Sequence, residues 1–219
     1  MTVITNRTIE VLKNFSSINK SIVIKPGNQI ATLSINKNIL AIAKVEEQFE
    51  SQIAIYDLQS FLSGLSLHGS SPQLDSTNSN FIIISDADKK VKTRYFYADP
   101  DIITQAPDKG IELPTEEVSF HLSSNVLDNL RKASFAYKVP DLCVYGHDGK
   151  IQLAVTDKRN DTSNTYTVEV GETDGEFCYC FKMENIKLLD DDYKVIVSKQ
   201  AAKFIASDVT YFIALETNG

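Results

Sequence analysis

The chain has 219 residues, 42% hydrophobic and 23% charged, which suits a globular protein with a sizeable core and excludes disorder for its body. Its 22 basic and 29 acidic side chains give a formal charge of −7, which argues against a uniformly basic nucleic-acid binder. Three cysteines make no disulfide framework at this length, no apolar run approaches the roughly 18 residues of a membrane span, and the opening residues show no secretory pattern.

In chain order, the first helical periodicity covers residues 6–19. Ile4, Val11, Leu12, Phe15 and Ile18 fall on one side, and Lys13 and Lys20 project to the other. Strand-like segments follow at 21–24, 29–34, 39–44 and 52–56, the first two separated by the turn Pro26-Gly27-Asn28. A second helix is predicted over 57–67, with Leu58, Phe61, Leu62 and Leu65 as its stripe and Asp57 as N-cap. Residues 69–80 are polar and Ser-rich and read as a loop, and strands at 81–85 and 93–97 close this half. Residues 99–114 hold Pro100, Pro107, Gly110 and Pro114 without an aromatic, the composition of an extended linker.

The second half opens with a helix over 124–137. Its stripe is Val126, Leu127, Leu130, Ala133 and Tyr137, with Asn125, Asp128, Arg131 and Lys132 on the far face. Strands are predicted at 142–145, 151–156, 165–170 and 176–181, then a short helix over 182–189, then strands at 194–198, 203–207 and 210–215. Cys178 and Cys180, two apart on a strand, share a face and are expected as packed thiols. The run Asp190-Asp191-Asp192 reads as a solvated turn. Each half therefore runs helix, hairpin, strand into short helix, then closing strands. This is an internal duplication of an α+β unit of about 100 residues, which predicts domains at 1–98 and 115–219 joined by residues 99–114.

Nothing in the sequence recommends an enzyme. His68, His121 and His147 are scattered, and no nucleophile elbow, zinc motif, phosphate loop or dinucleotide fingerprint occurs; no cofactor and no metal is expected. The charge distribution says more than the sum. The four helical segments carry eight basic and four acidic side chains, a net +4, so the rest of the chain carries −11. The candidate phosphate contacts are Arg7, Lys13, Lys20, Arg131, Lys132, Lys138 and Lys187. Without a recognition motif or stacking platform, contact would be with a nucleic-acid phosphate backbone and independent of sequence.

Particular stretches carry a resemblance. Leu12-Lys13-Asn14-Phe15-Ser16-Ser17-Ile18-Asn19, Ala54-Ile55-Tyr56-Asp57-Leu58 with Phe61-Leu62, Ala98-Asp99-Pro100 and Tyr211-Phe212-Ile213-Ala214-Leu215-Glu216 together resemble the DNA polymerase sliding clamps of T-even-type bacteriophages and their cyanophage relatives. The resemblance spans nearly the whole chain, weakest at 69–80 and 158–164. It implies an α+β chain of two similar DNA-clamp domains, with antiparallel sheets outside and helices lining a homotrimeric ring. It implies as partners double-stranded DNA, the viral DNA polymerase, a clamp-loader complex and late-transcription factors in the host bacterial cytoplasm, and no catalysis. By similarity, residues 93–97 and 165–170 are the expected subunit edges. A partner-peptide pocket is expected from Ile102, Ile103, Ile111, Leu113, Tyr211 and Ile213. The alternative is an interaction protein that keeps the duplicated fold without encircling DNA.

Overall fold

The computed structural model describes residues 1–108 and 111–216. Lys109 and Gly110, within the predicted linker, lie outside the described residues. The chain divides into two compact units, Met1–Lys109 and Gly110–Gly219.

The first unit runs β1 (Thr2–Val3), α1 (Asn6–Ile18), β2 (Ile22–Ile24), β3 (Gly27–Leu33), β4 (Ile39–Phe49), β5 (Ile53–Ile55), α2 (Leu58–Ser66), β6 (Gln73–Asp75), β7 (Phe81–Ser85) and β8 (Lys92–Phe96). A 3-10 turn, Pro100–Ile102, follows. The second runs β9 (Val118–Leu122), α3 (Ser124–Tyr137), β10 (Asp141–His147), β11 (Lys150–Thr156), β12 (Tyr166–Glu172), β13 (Phe177–Lys182), a 3-10 turn at Met183–Asn185, β14 (Tyr193–Val197), β15 (Ala201–Ile205) and β16 (Val209–Ala214). The two orders match element for element: strand, helix, four strands, a helical turn or short helix, three strands.

Pairing repeats as well. β1, β6, β7 and β8 form an antiparallel sheet in that order, and β9, β14, β15 and β16 form its counterpart. β12, β11, β10 and β13 form a second sheet in the second unit, where the first unit has the pairs β3–β4 and β2–β5. Each unit hides the apolar stripe of its long helix: Val11, Leu12, Phe15 and Ile18 on α1, and Leu127, Leu130 and Ala133 on α3. The largest buried side chains include Phe15 and Phe61 in one core and Tyr193, Tyr211, Phe181 and Phe204 in the other.

Several expectations need correction. Strand β6 lies inside the stretch read as a loop; with Leu74 its only buried residue, it has no alternation to detect. Strand β9 does alternate, burying Val118, Phe120 and Leu122, but adjoins the linker. Strand β4 runs five residues beyond the predicted end because Glu47, buried at 5% exposure, interrupts the apolar pattern between Val45 and Phe49. The predicted helix over 182–189 is only a 3-10 turn, Lys182 ends β13, and Ile186 and Leu188 are buried. Tyr137 is 48% exposed at the end of α3, off the buried stripe. Cys180 is not a free thiol: it faces Cys143 across the β10–β13 ladder and is bonded to it.

Candidate nucleic-acid interface

Helix α1 begins where Thr5 caps it, its side chain accepting from the Thr8 amide at 3.2 Å. A second acceptor comes from 42 residues away. The buried Glu47 carboxylate accepts from the Thr5 amide (2.6 Å) and the Thr8 hydroxyl (2.5 Å), placing an anion at the positive end of the helix. At the other end, Asn19 is buried; its amide donates to the carbonyls of Leu33 (2.9 Å) and Thr104 (3.4 Å), and its side-chain oxygen accepts from the Ser21 amide (3.1 Å). The helix is thus fixed at both ends with its apolar arc inward. Lys13 lies about 160° around the axis from the centre of that arc; Lys20, expected on the same helical face, instead lies beyond the helix, which ends at Ile18 with Asn19 extended. Both are exposed, and neither makes an ion pair with a described residue. Arg7 lies on the flank of the buried arc, half-buried and 3.4 Å from Glu10.

Helix α3 is held differently. Ser123 caps it, and Asp192 accepts from the Ser124 amide at 2.7 Å. That hydrogen bond holds the Asp192 carboxyl below its ordinary value. Arg131, expected on the far face, sits on the flank of the helix. It donates to Asp190 (2.6 Å) and to the Leu188 carbonyl (2.6 Å), so its guanidinium ties the 188–190 turn to the helix. The Asp190–Asp192 run is a turn as predicted, but two of its three carboxylates clamp α3. Lys132 is exposed and pairs with Asp128 at 2.5 Å. Lys138 is the exposed left-handed C-cap, φ 54°. Lys187 is half-buried in the segment after the 3-10 turn, its backbone N–H donating to the Asn185 carbonyl at 2.9 Å. Lys182 is taken up by Asp141, a fully buried carboxylate 2.6 Å away that also accepts from the Lys158 amide at 3.0 Å.

The candidate peptide pocket does not assemble as expected. Tyr211 and Ile213 are 0% exposed in the core of the second unit, and Ile103 is buried against Val23 and Ala54. Residues packed inside a core cannot line an open pocket. Ile102 is 63% exposed, Ile111 is exposed and Leu113 is half-buried. Ile102 instead joins Asn19, Lys20, Ser21, Ile35, Tyr56, Asp57, Gln59 and Thr104 around a depression of about 560 Å³ in the first unit. Ile35 and Tyr56, 71% and 64% exposed, are its missed apolar members. The signal was available: Tyr56 ends an apolar strand just before an N-cap, and Ile35 follows one at a turn.

Strands β8 and β12 are among the sheet edges. Among the described residues of its own unit, β8 pairs only with β7, and β12 only with β11. These strands overlap the segments expected at the subunit edges, 93–97 and 165–170, each short of one residue of it. β8 carries Lys92 and Arg94, the latter 4.6 Å over the Phe81 ring, and β12 carries Glu169 and Glu172. No helix of the described residues is long and apolar enough to cross a membrane.

Comparison with known proteins meets this geometry. Residues 5–104 match the family model of DNA polymerase processivity factors, and residues 119–217 match that of the gp45 sliding clamp, C terminal. The chain is 36% identical to a sliding clamp of Vibrio phage KVP40, covering 95% of this chain and 96% of the relative. It is 31% identical to a sliding clamp of Escherichia phage RB69, covering 96% and 95%. Among solved structures, proliferating cellular nuclear antigen from Entamoeba histolytica superposes with a TM-score of 0.71 at 13% identity, over 95% of this chain and 94% of that one. That likeness speaks to the fold alone.

Proposed function

Since the chain belongs to the phage sliding-clamp family of DNA polymerase processivity factors, we propose that three copies close head to tail into a ring that encircles duplex DNA and tethers the viral polymerase. The observation that carries this reading is the pair of oppositely charged free edges. A heterologous contact between one patch and a different patch closes into a ring only if each subunit offers both halves. Lys92 and Arg94 on β8 against Glu169 and Glu172 on β12 supply such halves, with unpaired backbone groups ready to extend a ladder. In this reading 1–98 and 115–219 are the two clamp domains and 99–114 connects them.

The ring holds DNA by topology, so its phosphate contacts stay weak. Exposed Lys13, Lys20, Lys132 and Lys138 give sequence-blind attraction without a fixed register, which permits sliding. The net negative remainder of the chain discourages DNA from other surfaces. The subunit does no chemistry of its own and works in the host cytoplasm. The depression around Ile35, Tyr56 and Ile102 suits a short apolar segment of the polymerase, and clamp-loader and late-transcription factors would meet the same surface. Light scattering at micromolar concentration tests the assembly. A trimer mass is expected for the native chain, and a lower mass for Arg94→Glu, restored when Glu169→Arg is added. A native monomer, or no loss of mass on reversing Arg94, would overturn the edge assignment.

A further inference from the structure

Strands β10 and β13 bring together all three cysteines of the chain. Cys143 lies opposite Cys180, and Tyr145 lies opposite Cys178, so the four side chains share one sheet face. The three sulfur atoms lie within 4.8 Å of one another, and Cys178 Sγ is 3.7 Å from Cys180 Sγ. Cys143 and Cys180 are buried, whereas Cys178 is exposed and closes the cluster on its solvent side. In the structure Cys143 and Cys180 are bonded to each other. A pairwise cross-link does not need a third cysteine at van der Waals distance.

We propose that, once this bond is reduced, Cys143, Cys178 and Cys180 form a three-thiolate site for a soft, low-coordinate metal ion, with Cu(I) as its natural occupant. The donor chemistry selects the ion. No imidazole or carboxylate belongs to the set among the described residues, which removes the hard-ligand cations calcium and magnesium. Zinc on these three donors would need a water or other fourth ligand to complete its tetrahedron, whereas three sulfurs alone satisfy a low-coordinate ion. Three soft sulfurs at the corners of a small triangle suit Cu(I).

Reduction is balanced by a dithiol. Two thiolate-exchange steps move the sulfur–sulfur bond from Cys143–Cys180 to the reductant, leaving two protein thiols. Cu(I) then displaces the thiol protons. Disulfide and metal are therefore alternative occupants of one place, and the oxidised protein has no site.

The test uses the full chain, reduced with dithiothreitol, desalted without oxygen and titrated with Cu(I) against a chromogenic Cu(I) chelator. One Cu(I) per chain is expected, with thiolate-to-copper absorption in the near ultraviolet and no uptake by the oxidised protein. Cys178→Ser, an exposed position whose change spares the core, should weaken binding by at least about tenfold, since even an outer-shell partner of a metal typically costs that much. Equal affinity in Cys178→Ser, equal uptake by the oxidised chain, or no competition with the chelator would overturn the site.

Discussion

Helices α1 and α3 occupy matching places in the two units, yet their basic residues are committed differently. On α1 the nearby acids are spent near the helix start, where Glu47 is buried against Thr5 and Thr8 and Glu10 meets Arg7, and Lys13 on the helix and Lys20 just beyond it are left in solvent. On α3 the acids are spread along the helix: Asp192 holds its start, Asp190 holds Arg131 and Asp128 holds Lys132. Equal helical periodicity therefore does not mean equal availability of charge. A cation on a helix can reach phosphate only when no carboxylate from another segment reaches it first, and that depends on long-range folding.

The largest effect is expected at the buried anions that anchor each unit. Asp141→Ala strips Lys182 and the Lys158 amide of a fully buried partner and should cost about 3 kcal/mol in urea unfolding. Glu47→Ala leaves the Thr5 amide and the Thr8 hydroxyl short of an acceptor and should cost about 2 kcal/mol. If either change were neutral, the anchor would lie elsewhere.

The functional contrast is next. Lys13→Glu combined with Lys132→Glu should lower processive synthesis several-fold at unchanged trimer mass and unfolding midpoint. Arg131→Ala should instead loosen the 188–190 turn, costing about 1 kcal/mol because the pair is partly solvated, with processivity largely kept. A primer-extension assay beside an unfolding curve separates the two. The reverse pattern would make Arg131 the DNA contact.

The smallest effect is at the exposed start of α3. The Asp192 carboxyl is held low chiefly by the Ser124 amide, so its stabilisation is fully present above the ordinary aspartate value and is lost as pH falls through the lowered one. Asp192→Asn should therefore trail the native chain slightly at neutral pH and converge with it in acid. A gap that widens on acidification would contradict the assignment.

Much of this was legible in the sequence. The apolar arcs of α1 and α3, the duplicated order and the strand character of β8 and β12 follow from period and turn chemistry, whereas the place of those two strands at edges came from the family resemblance. What was not legible depends on contacts between distant residues. Glu47 disguised the end of β4 because a buried carboxylate looks like a solvent-facing one until its partners are known. Arg131 read as a free cation for the same reason. Tyr211 and Ile213 read as pocket residues because a closing strand with both faces covered looks like one with a face exposed.

All of this turns on retention of DNA by enclosure rather than by affinity. The direct measurement loads the protein onto a nicked circular duplex with its loader, washes in high salt, and then linearises half the sample. The protein should stay on the circle and run off the linear DNA; equal, salt-sensitive loss from both would contradict a closed ring.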